Sequence, residues 1–335
     1  MRPSAISGSD VPLPRPTSTL RLFSYSPSCS LDTSDARDER KQPGFPLGSR
    51  TKWKEESMIL NRTKFVVSKT TLYGLLTLTA LFMILPFIWM LSTSFKSQDE
   101  IFVSPPIIIS RNMSLDGYRY IIDFGVLRSL WNTFFVAFSS TIVSLFFCSL
   151  GGYGFAKYRF PGRNLLFSFL LATMIVPYAV TMVPLYVIIQ KIGWMNTFLP
   201  LIVPGAANAF GVFFMRQYIS TISDELLDAA RIDGCSEFGI FTRVILPIII
   251  PGLTSLGLIF FMGAWNNYLG PLIYLKSPKK FTLPLFMMQM TGPPGFSMYR
   301  EWMGVAVVSV VPLLIIFLIF QRRFTEGITA GAIKG

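Results

Sequence analysis

The amino-acid sequence predicts an all-α polytopic membrane protein with six transmembrane helices and both termini in the cytoplasm. Of its 335 residues, 51% are hydrophobic, and the mean hydropathy is +0.51. Only 14% are charged, against about a quarter in a typical soluble domain. Six apolar stretches are long enough to cross a bilayer core as helices, which takes about 20 residues each. These predicted spans are 72–94, 130–155, 165–190, 197–215, 248–274 and 303–321.

Residues 1–64 differ from the spans and are predicted to form a disordered N-terminal tail. The stretch 1–57 is rich in Ser and Pro and mixes basic with acidic residues, a composition that is unable to bury a core. As an alternative, translation begins at Met58, because residues 54–56 (Lys-Glu-Glu) would be encoded by a purine-rich stretch like a bacterial ribosome-binding site. The membrane domain is expected over 65–335.

Basic residues near the ends of the spans set the predicted orientation. With the N-terminus inside, the internal segments carry more Lys and Arg than the external loops, although the external loops are longer. The net charge of +12 therefore comes from residues that flank apolar runs, which favours a membrane surface over nucleic acid as the partner. We expect a multi-pass membrane protein with both termini inside.

The six predicted spans contain no Asp, Glu, Lys, Arg or His. Ion-coupled transporters usually carry ionisable groups along their path, so secondary transport is disfavoured. The phosphate-binding pattern G-x-x-x-x-G-K-[ST] is also absent, so ATP and its Mg would be bound by a separate subunit. With no histidine and three cysteines that lack metal-type spacing, the sequence predicts no catalytic residue, metal site or cofactor in this chain.

The end of the fifth predicted span combines aromatic rings with side-chain amides, which suits contacts to sugar rings. An alternative is an aromatic belt at the membrane interface. The candidate substrate-pathway residues are Trp265, Asn266, Asn267 and Tyr268.

Between the fourth and fifth spans, the loop 217–247 predicts two short helices joined by a glycine. Ser223 and Ser236 are placed as N-caps, and acidic residues follow each in the first turn, where the helix dipole favours them. Gly234 can end the first helix in the left-handed conformation. The predicted apolar stripes are Leu226, Leu227 and Ala230 on the first helix and Phe238, Phe241 and Ile245 on the second. An ordinary amphipathic hairpin would show the same signals.

Within this loop, Asp228-Ala229-Ala230, then Gly234, then Val244-Ile245-Leu246-Pro247, resembles the EAA motif of binding-protein-dependent ABC importer permeases. Asp228 stands where the motif has Glu, and Val244 departs from its usual ending. The segments 100–106 and 156–163, and residues 327–335 of the C-terminal tail 322–335, resemble other signatures of the carbohydrate-uptake, maltose-type subfamily. The resemblance covers about 65–335.

The resemblance implies the type I ABC importer permease fold and a set of partners. These are a second, related permease subunit, two ATPase subunits that bind ATP and Mg, and an extracytoplasmic solute-binding protein. The loop would dock in a cleft of the ATPase, with Asp228 in a polar contact and Gly234 at the bend. The implied coupling residues are Asp228, Ala229, Ala230, Gly234, Leu246 and Pro247.

The function implied is uptake of a sugar or oligosaccharide, driven by ATP hydrolysis in the partner and achieved by alternating access. The chain itself would not be an enzyme. Two alternatives stay open from the residues alone. The cargo could be glycerol phosphate or another polyol, or the chain could be an ATP-independent secondary transporter with a chance hairpin.

Overall fold

The computed structural model describes residues 47–290 and 298–332, with side chains described for 69–290 and 298–321. Helices, turns and loops make up this described part of the chain, and it contains no strand. The chain divides into two compact units, residues 1–75 and 76–335. The described part of the first unit is one continuous helical backbone.

Fourteen α-helices follow one another along the described residues. They are α1 (Leu47–Ser94), α2 (Asp116–Phe124), α3 (Val126–Lys157), α4 (Arg163–Thr173), α5 (Tyr178–Lys191), α6 (Leu199–Ile202), α7 (Ala209–Ile219), α8 (Asp224–Ile232), α9 (Glu237–Ile240), α10 (Leu246–Ile248), α11 (Ile250–Trp265), α12 (Leu269–Tyr274), α13 (Leu283–Gln289) and α14 (Tyr299–Ala332). A π-helical turn, Phe241–Ile245, joins α9 to α10.

The all-α prediction is confirmed, whereas the spans differ from six unbroken helices. Three helical segments are long and apolar enough to cross a membrane unbroken: Lys69–Ser94, Val126–Lys157 and Tyr299–Gln321. Two further candidate spans are bent pairs: Arg163–Thr173 with Tyr178–Lys191, bent by 97°, and Glu237–Ile248 with Ile250–Trp265, bent by 78°. The described residues thus hold up to five spans by length and composition. The predicted fourth span, 197–215, is divided between α6 and α7.

Proline explains where these helices break, because it lacks an N–H and restricts the residue before it. Pro177 stands directly before α5. Pro204 lies in the turn between α6 and α7, and the Asn208 side chain accepts a hydrogen bond from the Gly211 N–H at 3.1 Å, which caps α7 as a new helix. A hydropathy pattern registers only the apolar run, so it reads such a broken segment as one span.

Helices extend into both predicted tails. Residues 1–46 lie outside the described part of the chain, but α1 already begins at Leu47, within the predicted disordered tail 1–64. From residue 49 to 64 the sequence has no Pro or Gly and is rich in Lys, Arg, Glu, Met and Leu, which favour helix. At the other end α14 continues through the predicted tail to Ala332, and residues 333–335 are not described.

Helix α3 lies at the centre of the second unit and packs against α7 and α11, while α11 also packs against α14. The contact between α3 and α7 depends on Gly152. A Cβ atom there would lie 2.6 Å from the Met215 Cβ and 2.9 Å from the Arg216 backbone nitrogen. Small residues allow this close approach of helix backbones, as in other membrane helix pairs.

The two ends of α3 contact different parts of the chain. Near its N-terminal end, the Asn132 Nδ2 donates to the Lys279 carbonyl at 3.1 Å, and the Thr133 Oγ1 accepts from the Leu283 N–H at 2.6 Å. At its C-terminal end, α3 contacts the segment 222–245. With 32 residues, α3 is about 48 Å long. The segment that resembles the coupling motif therefore lies at the opposite end of α3 from the 279–283 loop.

Candidate functional site

The segment Ser223–Ile245, called the hairpin below, has the two capped helices that the sequence predicts. The Ser223 Oγ accepts a hydrogen bond from the Glu225 N–H at 3.2 Å, and the Ser236 Oγ accepts one from the Gly239 N–H at 3.2 Å. These caps satisfy N–H groups that would otherwise lack partners at the start of α8 and α9.

Gly234 makes the turn between the two helices. Its φ angle is +81°, and no atom lies within 4 Å of the position that a Cβ would occupy. Its N–H donates to the Arg231 carbonyl and the next N–H, from Cys235, donates to the Ala230 carbonyl, both at 3.0 Å. Glycine is needed here because of the left-handed backbone, which other residues adopt at a cost, rather than because of space.

The inner face of the hairpin packs into the core of the helix bundle. Leu227, Ala230, Phe241 and Ile245 are buried in one apolar cluster with residues of α3, α7 and α11 such as Met215. This packing makes the hairpin a continuous part of the bundle core. The hairpin is therefore in direct contact with α3, α7 and α11.

The outer face of the hairpin is apolar but uncovered. Ile232 is 86% exposed, Phe238 63% and Leu226 42%, and Ala229 is also exposed. Leu226, Ala229 and Ile232 recur every three residues, which places them along one side of α8. We call Leu226, Ala229, Ile232 and Phe238 the outer strip. The predicted stripes are divided by burial: Leu227 and Phe241 pack in the core cluster, whereas Leu226 and Phe238 are exposed.

The predicted Ala229-Ala230 pair is split between the two faces. Ala230 is buried in the core cluster, whereas Ala229 lies on the outer strip. Adjacent residues on a helix point about 100° apart, so only one of the pair can meet a partner at the strip.

Asp228 is already paired within its own helix. Its Oδ1 accepts from the Arg231 Nη1 at 2.8 Å, and the Arg231 Nε also donates to the Glu237 Oε1 at 2.8 Å. Arg231 thus links α8 to α9, and its bonds to the two carboxylates, the one to Glu237 foremost, raise its pKa. The resemblance implied a polar contact from Asp228 to another protein, whereas the three-residue spacing to Arg231 was the signal for this internal pair.

Two residues at the end of α3 were missed by sequence reasoning. The Lys157 Nζ donates to the Asp224 Oδ1 at 2.6 Å and to the Ile222 carbonyl. The Tyr158 hydroxyl donates to the Glu237 Oε2 at 2.5 Å. The hydrogen bond from Lys157 and its positive charge lower the pKa of Asp224. Both contacts join parts of the chain that are distant in sequence, so no local sequence pattern predicts them.

The predicted junction residues lie where the hairpin meets α11. Leu246 and Pro247 open α10 directly after the π-helical turn, and the axis then bends by 78° into α11. Leu246 packs against the core cluster, whereas Pro247 is exposed. Single π-turns inside helices are frequent at functional sites.

A second candidate site is a cavity of about 690 Å³ near the end of α11 that is remote from the hairpin. It is bounded by α5, by α6 and the turn after it, and by the segment from Asn266 to α12. None of the described residues that line it is charged. They are Tyr178, Thr181, Leu185, Pro200, Leu201, Pro204, Gly205, Asn266, Asn267, Tyr268, Leu269, Gly270 and Tyr274.

Three of the four predicted pathway residues line this cavity. Asn266 donates to the Met262 carbonyl at 2.9 Å, and the Asn267 Oδ1 accepts from the Gly270 N–H at 3.1 Å, so both amides are oriented by the backbone. Tyr268 lies beside them. Tyr178 also lines the cavity and was not predicted, although its place directly after the break at Pro177 marks an interrupted span.

Trp265 is not a lining residue. It is 1% exposed, and its ring stacks on Phe261 with centroids 5.5 Å apart. Together with Ala137 these residues form a separate packed cluster. The structure therefore assigns Trp265 to the packing between α3 and α11, because the helix turn that brings Asn266 to the cavity directs its neighbour inward.

The family of binding-protein-dependent transport system inner membrane components matches residues 147–329, more than half of the chain. Both the hairpin and the lining of the cavity fall within this match. The chain belongs to this family. The sequence-based expectation of a binding-protein-dependent importer permease is thereby confirmed.

Relatives of full length agree with the family match. An arabinooligosaccharide transport system permease protein of Bacillus subtilis is 33% identical over 287 residues, which cover 83% of this chain and 100% of that protein. Another of that name, from Halalkalibacterium halodurans, is 34% identical over 75% of this chain and 91% of that protein. Like these members of the family, the chain is a membrane component.

A solved structure supports the fold. The crystal structure of a bacterial ABC transporter involved in the import of the acidic polysaccharide alginate contains a chain that matches with a TM-score of 0.69 and 22% identity. The match covers 84% of this chain and 100% of that chain. The broken helices around the cavity thus occur within a fold that ABC importers use.

Proposed function

We propose that the chain is the permease subunit of an ATP-driven, binding-protein-dependent importer of a sugar or oligosaccharide. The observation that carries this proposal is the hairpin, whose inner face is part of the bundle core and whose outer strip is apolar and uncovered. An exposed apolar surface bordered by charged residues is typical of a protein-binding site. The partner at this surface is a separate ATPase subunit.

The predicted coupling residues would then have different roles, depending on where each lies in the hairpin. Ala229 allows close approach at the strip, and Asp228, held by Arg231, offers a carboxylate at its border. Ala230 and Leu246 join the hairpin to the core cluster, while Gly234 and Pro247 set its turn and its exit. Closure of two ATPase subunits around ATP and Mg would move the hairpin, and with it α3, α7 and α11.

The cavity is the part of the path that this subunit contributes. Tyr268 and Tyr178 supply aromatic rings, and Asn266 and Asn267 supply amides, without a charge among the described lining residues. Sugar rings have apolar faces that pack on aromatic side chains and hydroxyls that bond to amides. The names of the relatives, which refer to arabinooligosaccharides, support a saccharide cargo.

We place the hairpin and both termini on the cytoplasmic side of a bacterial inner membrane. With this orientation, α6, the turn after it and α7 together cross the membrane once more, in addition to the five candidate spans. The helix break in this crossing lies beside the cavity. Irregular backbone at membrane depth is tolerated where it lines a cavity. The working complex would hold a second, related permease and two ATPase subunits, and an extracytoplasmic solute-binding protein would deliver the cargo to the other face.

Reconstitution of the complex tests this function. The tagged chain, purified from its native membranes with its partners, would be placed in liposomes with the binding protein outside and ATP inside. We expect ATP-dependent accumulation of a labelled saccharide, with an arabinooligosaccharide, lactose and glycerol 3-phosphate compared. An ATPase variant without its catalytic carboxylate is the control. Uptake that persists with this control would support a secondary transporter instead, and uptake of glycerol 3-phosphate alone would replace the proposed cargo.

A further inference from the structure

Lys157 is the last residue of α3, and its side chain is only 4% exposed. An ammonium group in such a place requires strong partners, since burying an unpaired charge is costly. Its partners are the Asp224 carboxylate at 2.6 Å and the Ile222 carbonyl. Asp224 is the first residue of α8 and Ile222 directly precedes its N-cap, Ser223, so Lys157 ties the end of α3 to the entry of the first hairpin helix.

The next residue along the chain contacts the second helix. The Tyr158 hydroxyl donates to Glu237, the first residue of α9, at 2.5 Å. Arg231 bonds to the same Glu237 carboxylate and to Asp228, which closes the network across the hairpin. Lys157, the last residue of α3, and Tyr158, its C-cap, thus hold the first residue of each hairpin helix.

We propose that Lys157 and Tyr158 are positioning residues that form a two-point latch between α3 and the hairpin, so that α3 follows each displacement of the hairpin. This inference rests on the proposed function, because it concerns how motion at the hairpin is transmitted. Helix α3 continues to the opposite end of the bundle, where Asn132 and Thr133 hold the 279–283 loop. The latch would therefore connect the ATPase end of the subunit to its outer end through one helix.

The apolar cluster alone does not fix the angle between the hairpin and α3. Leu227 and Phe241 anchor the hairpin in the core, but apolar contacts have no direction and allow sliding. Hydrogen bonds from Lys157 and Tyr158 fix the angle of the hairpin about that anchor. The Asp224 side chain is 76% exposed and that of Glu237 49%, so water weakens both interactions on the carboxylate side, although Lys157 itself is buried. Loss of the latch is therefore expected to affect coupling more than folding.

Lys157→Met and Tyr158→Phe test the latch in the complete transport complex. We expect ATP hydrolysis to continue while saccharide uptake per ATP falls about tenfold for Lys157→Met, which removes a charge-assisted hydrogen bond. Tyr158→Phe should have a smaller effect of the same kind. Lys157→Arg, which keeps charge and donors, should retain most coupling. The matched control is Lys191→Met, an exposed lysine in the last turn of α5, which should behave as wild type.

Hydrogen exchange of the hairpin backbone separates this inference from the proposed function. In the detergent-solubilised complex, Lys157→Met should speed exchange over 224–232 and leave 283–289 unchanged. Unchanged exchange over 224–232, or unchanged uptake per ATP in Lys157→Met, would overturn the latch. A wild-type complex without ATP-dependent uptake would overturn the proposed function, and the exchange result would still decide the latch.

Discussion

The hairpin and the cavity lie in the same chain but differ in charge and in packing. In the hairpin, Arg231 holds two carboxylates and Lys157 holds a third, and the inner face is buried in the core. The cavity is lined by tyrosines, amides and apolar residues, with no charge among the described lining residues. The comparison separates a charged region that is held together by hydrogen bonds and core packing from an open region with uncharged described lining residues.

The two regions also differ in what their exposed surface offers. The outer strip presents apolar side chains that a protein partner would cover. The cavity presents two amides whose orientation is already fixed by backbone contacts, next to the ring of Tyr268. If this division is correct, changes in the hairpin should affect energy coupling, whereas changes in the cavity should affect affinity for the cargo.

The largest effect is expected at the turn of the hairpin. Gly234→Pro should abolish ATP-dependent uptake while the chain still inserts, because proline fixes φ near −65° and removes the N–H that bonds to Arg231. Gly234→Asn is the control, since asparagine tolerates the left-handed conformation. Uptake and membrane content would be measured together, and normal uptake by Gly234→Pro would count against the hairpin as the energy input.

The next effect is expected at the outer strip. Ile232→Glu should lower ATPase association by at least about tenfold, because docking would bury an unpaired carboxylate. Ile232 is 86% exposed, so the subunit itself should fold normally. Met113→Glu, at a residue that is 71% exposed outside the hairpin, is the matched control. Equal co-purification of the ATPase with both variants would show that the strip is not the contact.

A moderate effect is expected in the cavity. Tyr268→Ala should raise the half-saturating cargo concentration about two- to tenfold, since an aromatic contact contributes ~0.5–1.5 kcal/mol. Tyr268→Phe keeps the ring and should stay near wild type. Concentration-dependent uptake measures both. If Tyr268→Ala instead lost ATP coupling at unchanged cargo affinity, the proposed division between the two regions would be wrong.

The smallest effect is expected next to the cavity. Trp265→Phe should change the half-saturating cargo concentration by less than about twofold, because Trp265 packs on Phe261 and does not line the cavity. The same uptake titration tests this. A shift of the half-saturating concentration as large as that of Tyr268→Ala would indicate that Trp265 does contact the cargo.

The hairpin could be predicted well because its signals are local. Ser223, Ser236 and Gly234 each act within a few residues of their position, so spacing alone gives the two caps and the turn. The latch could not be predicted in this way. Lys157 and Tyr158 meet partners 67 and 79 residues away, and only the packing of α3 against the hairpin brings them together.

The spans and the cavity show a second limit of sequence reasoning. Apolar runs located the helices, but the break after Ile202 and the bend before Tyr178 depend on how prolines and caps are satisfied in the folded chain. Segment 265–268 was found by its composition. Which of its residues reaches the cavity depends on the rotation of α11, and that rotation is set by contacts with α3 and α14.

Cross-linking most directly tests the claim that the hairpin receives the energy of ATP. A single cysteine would replace Ala229 on the outer strip or Lys279 at the opposite end of α3, in a chain whose three native cysteines are changed to serine. In the complete complex, Ala229→Cys should form a cross-link with the ATPase subunit whose yield changes when ATP binds, and Lys279→Cys should form none. A cross-link to the ATPase from Lys279→Cys and none from Ala229→Cys would contradict the account.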